Sequence, residues 1–255
     1  MRARLRQDRR WLAAALEPGN ASSVDAHLRH AASLLRNRKA ASPCTLMLAQ
    51  VAQLFERSVP GAARREIACR KACAFCCHQR VSVTGAEALA LANAIRGRPE
   101  LAAAVRAGRL ALAGRKAAEG NAPRLSWLRC PLLDADDGCS VYAVRPLACH
   151  GYVSVDVEDC RKALVDSHAP VREPGDYKTM RDLCRVILLS ALSANGLSHA
   201  HYELTAALAT ALDTAKAEGR WLKGEDLFAA VPVIPMPAEA EALVAEVGAR
   251  IARML

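Results

Sequence analysis

Along most of this chain apolar residues return with the 3.6-residue period of a helix that buries one face. Val24, Leu28, Ala31, Ala32 and Leu35 form one stripe after Ser22 and Ser23, which can cap it, and Leu46, Val51, Leu54 and Phe55 form another after Pro43. Thr84-Gly85-Ala86-Glu87, with Val83 before it, is a capping-box pattern, so a helix is predicted from about Gly85 to Arg96 with Gly97 ending it. Pro99 opens the next, predicted to reach about Gly120. The period then lapses. Residues 121–175 hold Pro123, Pro131, Pro146, Pro170 and Pro174, the acidic turn Asp134 to Gly138, and four cysteines. From Asp176 the helical stripe resumes through Met180, Leu183, Cys184, Ile187, Leu188 and Ala191, and residues 199–219 and 238–254 are predicted as further helices separated by the proline-rich stretch 231–237. The expected fold is mainly α, interrupted by an irregular cysteine-rich segment. Three regions follow: N-terminal helices over 1–66, the cysteine region over 67–165, and C-terminal helices over 166–255 that pack on the same core.

Composition narrows the class of protein. A chain of 255 residues, 52% hydrophobic and 24% charged, buries a core without disulfide staples, and no apolar run reaches the ~18 residues of a membrane span. The opening MRARLRQDRR leads only into WLAAAL before Glu17, Pro18 and Gly19, too short for a secretory core, so a cytoplasmic setting is expected. Of the net charge of +9, six units fall within residues 1–40. Aromatic residues, at 4%, do not interleave with that basic head, which argues for a solvated helix and against nucleic acid as a partner.

Ten cysteines are the anomaly, because cytoplasmic thiols stay reduced and need burial, a redox role or a metal. Eight fall into two groups: Cys69, Cys73, Cys76 and Cys77 within nine residues, then Cys130, Cys139, Cys149 and Cys160 spaced more widely. At about 100° per residue, a helical reading puts the first four on one arc of about 100°. That arc would suit either burial or presentation to one centre; four cysteines beside Arg70, Lys71 and Arg80 favour the metal. Soft thiolates suit zinc or an iron–sulfur cluster. Adjacent Cys76 and Cys77 point apart in ordinary backbone, so they serve two centres or one is a spare. Cys130-Pro131 resembles the end of a bacterial ferredoxin-type ligand run and leans toward iron–sulfur.

His78 and His150, each following a cysteine, are secondary candidate ligands, with a hydrogen bond to thiolate or water as the alternative. Arg145 either donates to a thiolate or pairs with Asp134, Asp136 or Asp137. Tyr142 is expected to pack against the cysteines, Glu87 to cap a helix, Cys44 to be unligated and Cys184 to lie in the core. His199 and His201 carry no motif.

The ordered run Cys69-x3-Cys73-x2-Cys76-Cys77-His78-Gln79-x-Val81-x-Val83-Thr84-x2-Glu87, Cys130-Pro131-Leu132-Leu133, Cys139-Ser-Val-Tyr142, Arg145-Pro146-x2-Cys149 and Cys160 resembles the YkgJ-type cysteine-cluster family. The resemblance spans roughly residues 67–162. It implies a zinc- or iron-chelating region, similar there to flagellin lysine N-methylase, and implies no reaction. Two departures stand out: His150 follows Cys149 where family members usually carry Arg, and three residues rather than two follow Cys69. The readings that result are an iron–sulfur protein for redox or sensing, a structural zinc protein that serves protein or nucleic-acid interaction, and, with least support, a metal-supported methyltransferase. No Gly-rich cofactor loop after a strand favours the last.

Overall fold

The apolar stripes become helices whose buried faces meet. A computed structural model describes residues 18–37, 39–115, 129–166 and 169–255. Helix α1 (Pro18–Leu35) buries Leu28, Ala31, Ala32 and Leu35, and α2 (Pro43–Ser58) buries Met47, Val51 and Phe55. Ser22 and Ser23 lie inside helix α1, whose described residues begin at Pro18. In α2, Leu46 stays exposed and Met47 takes the inward position. Its first turn is capped twice. Ser42 Oγ accepts from Thr45 N at 3.2 Å, and the remote Glu218 carboxylate accepts from Cys44 N at 2.7 Å.

A short helix, α3 (Gly61–Glu66), leads to the cysteine segment, then to strand β1 (Ser82–Thr84) and helix α4 (Gly85–Ile95). The capping box forms as predicted: Thr84 N donates to Glu87 Oε2 at 2.7 Å and Glu87 N to Thr84 Oγ1 at 3.3 Å. Helix α5 (Pro99–Arg115) follows, and residues 116–120 of its predicted span lie outside the described residues.

Residues 129–174 are less irregular than their sequence suggests. They include α6 (Leu147–Gly151) and α7 (Val157–Val165), short helices set by Pro146 and by the Asp156 cap, whose carboxylate accepts from Glu158 N at 2.9 Å. Helix α8 (Gly175–Ser193) buries Cys184, Ile187, Leu188 and Ala191, with Met180 and Leu183 packed at the core's edge.

The expected helix over 199–219 divides. His201–Glu203 is strand β2, Leu204–Asp213 is α9, and Lys216, left-handed at φ 52°, precedes the short α10 (Ala217–Trp221). Pairing with β1, Val83 opposite Tyr202, overrides the local helical pattern. Strand β3 (Val233–Ile234) completes an antiparallel sheet in the order β1-β2-β3, kept short by Pro232 and Pro235, which cannot donate to a ladder. Helix α11 (Ala238–Ala252) closes over α8.

Helix α2 packs on α1, α4 and α8, while α9 packs on α4 and α5. Leu28, Phe55, Leu91, Leu188, Leu208 and Ile251 therefore belong to one buried cluster, and Leu132, Leu147 and Val153 anchor the cysteine segment to it. No helix among the described residues is long and apolar enough to cross a membrane.

Candidate metal centre

The four cysteines over residues 69–77 do not lie on a helix. Ala72 takes the left-handed conformation at φ 62°, so the chain turns between Arg70 and Cys73, whose N–H donates to Arg70 O at 3.0 Å. A single 3-10 turn, Phe75–His78, then follows. A left-handed alanine costs ~1–2 kcal/mol, which the surrounding contacts must offset. Cys73, Cys76 and Cys77 consequently sit around two consecutive turns rather than along one arc.

Long-range backbone bonds bring the second group to this turn. Ala68 N donates to Ser154 O at 2.8 Å, and Cys130 N donates to Cys77 O at 2.8 Å. Cys130 and Cys139 flank a tight hairpin closed by a bridge between Leu133 and Cys139 and tied at its tip by Asp134, whose Oδ1 accepts from Gly138 N at 2.7 Å. Cys149 rides on α6, which packs against α8, and Cys160 rides on α7, which packs against the Phe75–His78 turn.

Electrostatics separate these eight thiols from the other two. Burial pushes Cys69 up, Ser154 N–H opposes that from 3.5 Å, and the neighbouring Cys73 and Cys76 push it further. Burial likewise lifts Cys160 to about 11, opposed by the Ser154 hydroxyl and reinforced by Cys69, Cys73 and Cys76. The Cys77 thiol donates to the Cys76 sulfur, which brings Cys76 down to about 7 against the effect of burial, while the same bond holds the Cys77 proton in place. Cys77 also feels Cys130 and Cys149. Burial takes Cys130 to about 11 with Cys139 adding to the rise, and burial raises Cys149 strongly with Cys76, Cys130 and Cys139 adding to it. Cys184 reaches about 12 through burial alone, and Cys44 is raised by burial and by Glu218, with no other cysteine contributing.

Thiols that resist ionising beside one another are what a cation reverses, because metal binding replaces their protons. The donor set is sulfur-rich and seven of the eight thiols are half-buried, so the chemistry fits zinc or iron. Among the described residues no three His, Cys, Asp or Glu side chains form a ready-made coordination shell.

The neighbours differ from expectation in part. Arg145 does not reach the acidic turn: its guanidinium lies 4.0 Å above the Tyr142 ring and 3.9 Å from Glu56, while Arg129 takes Asp137 at 2.9 Å. Tyr142 is 61% exposed and packs under Arg145 rather than into the cysteines. His150 is buried, 3.4 Å from Glu56 Oε1, and neither ring nitrogen is aligned in a hydrogen bond. Burial and then the Arg145 charge hold it at about 4, so it is neutral. The His78 ring nitrogen Nδ1 meets Ala74 O at 3.1 Å. Glu87 is a cap, as expected, and it also accepts from Leu147 N at 2.9 Å, which fixes the start of the Cys149 helix. Ser154 and Glu56 were invisible beforehand. Neither belongs to a spacing pattern, and only the fold brings Ser154 to Cys69 and Glu56 to Arg145 and His150.

Residues 68–185 match the CxxCxxCC family model, described as a "Putative zinc- or iron-chelating domain". No curated protein and no solved structure matches the chain. The match assigns this segment zinc or iron as its cofactor.

Proposed function

We propose that the chain binds iron through Cys69, Cys73, Cys76, Cys77, Cys130, Cys139, Cys149 and Cys160 as an iron–sulfur protein used in redox or sensing. The observation that carries this reading is that these eight thiols share one electrostatic neighbourhood, from which Cys44 and Cys184 are excluded. Half-buried sulfurs leave a short path to a protein partner that gives or takes electrons. The Ser154 N–H donated to Cys69 is the kind of hydrogen bond that tunes such a centre. The Cys130-Pro131 pair and the YkgJ-type order of the motif support the same reading. A cytoplasmic setting would keep the thiols reduced. In this reading α4 and α5, together with the helices of regions 1–66 and 166–255, supply the core on which the cysteine segments are mounted.

A structural zinc clamp is the second reading. The bonds from Ala68 to Ser154 and from Cys130 to Cys77 favour it, because a metal there would tie three segments that share few regular ladders.

The test is metal and acid-labile sulfide per chain with the visible spectrum, on full-length protein purified without oxygen. Iron, sulfide and a broad band near ~400 nm are expected of thiolate-ligated clusters. Zinc with a featureless spectrum supports the clamp and overturns the redox reading. Protein that takes neither metal overturns both.

A further inference from the structure

We infer that Arg145 and His150 form a binding site for a small carboxylate anion, with Glu56 as the carboxylate that covers it. The site uses none of the eight thiols and does not depend on which metal they take.

Three buried polar atoms here have no hydrogen-bond partner: Arg145 Nε and both ring nitrogens of His150. Native folds rarely leave such atoms bare, so a group of them points to a ligand. Both side chains face the same oxygen, Glu56 Oε1, from 3.9 Å at Arg145 Nη2 and 3.4 Å at His150 Nδ1. The surroundings hold them there. The Tyr142 ring supports the Arg145 guanidinium from 4.0 Å. Helix α6, which carries His150, is tied at its start by Glu87 and at its end by Arg181, which donates to Gly151 O at 2.9 Å. Phe55 walls the imidazole, with ring centroids 6.3 Å apart, and Tyr177 backs Phe55 at 5.8 Å.

Glu56, the residue after Phe55 on α2, stops short of both groups. Its Oε2 accepts from Arg64 Nη1 at 3.2 Å, and Oε1 is left at 3.4 and 3.9 Å, where charge-assisted bonds run about 2.7–2.9 Å. A carboxylate that is not tethered to α2 closes both gaps. The Nε and Nη2 edge of a guanidinium is a fork that takes the two oxygens of a carboxylate, and one imidazole N–H adds a third donor. Charge agrees with this, since Arg64 and Arg145 set two positive charges against the one negative charge of Glu56. Glu56 is 46% exposed and so is free to turn outward with Arg64, while the His150 side chain is only 8% exposed and stays in place.

The experiment follows thermal unfolding of the full-length protein, purified without oxygen, against millimolar sodium acetate, with sodium chloride at equal ionic strength as the reference. The midpoint is expected to rise with acetate, because a ligand that binds only the folded chain stabilises it by mass action. Glu56→Gln removes the competing charge and is expected to bind acetate several-fold more tightly. Arg145→Lys keeps the charge but loses the fork, and is expected to bind on the order of 10- to 100-fold more weakly. Arg57→Gln, at the exposed position next to Glu56, is expected to match wild type. Acetate acting no differently from chloride overturns the site. So does Arg145→Lys binding as wild type, or Glu56→Gln binding more weakly.

The unsubstituted protein gives a second measurement that does not depend on variants folding. Pro146 keeps trypsin from cutting after Arg145, so modification of Arg145 by phenylglyoxal is read as added mass in the peptide 130–161. Acetate is expected to slow that modification several-fold relative to chloride and to leave Arg57 unaffected. Equal rates at Arg145 in the two salts, or equal slowing of Arg57, overturn the assignment.

Discussion

At the scale of single residues, environment sorts ten chemically identical thiols. Cys184 is sealed on the inner stripe of α8 and pushed up by burial alone, so it behaves as a small apolar side chain. Cys184→Ser is expected to cost about 1–2 kcal/mol, as a hydroxyl in an apolar site, and to leave metal content unchanged. Cys149→Ser is expected to cost several kcal/mol in the metal-loaded protein, since binding energy at such sites is folding energy of order ten kcal/mol. Urea melts with metal analysis check both, and metal loss from Cys184→Ser would show that burial misassigns it. A second residue sets a pH dependence. His201 is held at about 4 against its ordinary 6.5 by burial, then by the charges of Arg185 and His199, with Glu241 opposing. Between those values the unfolded chain binds a proton that the folded chain refuses, so stability is full above about pH 6.5 and falls as pH drops toward 4. His201→Gln is expected to flatten that limb relative to wild type in urea melts between pH 7 and 4; equal slopes would reject the assignment. The spacing singles out the eight candidate thiols, because a dense run of cysteines has few other uses. Ser154 and Glu56 were not legible in the sequence, since their roles depend on proximity that no local pattern encodes.

At the scale of elements, one carboxylate links a helix start to the candidate site. Glu87 is buried, completes the cap of α4 and accepts from Leu147 N, the first residue of the helix that carries Cys149. Glu87→Ala leaves the Thr84 and Leu147 N–H groups without partners, an expected cost of about 2–4 kcal/mol from a lost cap and an orphaned buried donor. Metal affinity is expected to fall with it, because α6 loses its tether. Competition against a chelator measures the second effect, and an unchanged affinity would mean that α6 is positioned by packing alone. Gly151 closes the other end of α6: a Cβ there would come within 2.7 Å of Arg181 Cβ. Gly151→Ala must therefore shift α6 from α8, at an expected ~1–3 kcal/mol in a urea melt. The amphipathic helices and the capping box were readable because stripes and caps are local. Strand β2 was not. Its residues continue a helical pattern, and only pairing with β1, more than a hundred positions earlier, makes them extended. The helical arc over Cys69 to Cys77 failed for the opposite reason: nothing nearby in the sequence announces the left-handed Ala72.

At the scale of the whole molecule, the thiol segment is mounted on the core rather than part of its centre. Leu89, Leu91 and Ile95 of α4, Ile187, Leu188 and Leu192 of α8, and Leu208 of α9 are fully or almost fully buried, and Cys69, Cys130 and Cys139 pack against their cluster while only partly buried themselves. By contrast, the Cys69 to Gln79 turn and α7 lean on each other, and few fully buried apolar side chains hold either. Metal removal should then loosen the molecule unevenly. Local stability follows buried apolar contact, so the turn and α7 belong to the weak end of the opening spectrum once their sulfurs are released. On chelation, hydrogen exchange is expected to quicken in residues 69–79 and 157–165, with α4 and α9 still protected and a cooperative unfolding transition still present at lower temperature. The hairpin and α6 should fall between these limits, since Leu132 and Leu147 remain anchored in the core while their neighbouring cysteines go free. If α4 and α9 lose protection together with the turn, the metal is a condition for the whole fold. The helical core would then be too weak to stand without it, despite its continuous buried cluster.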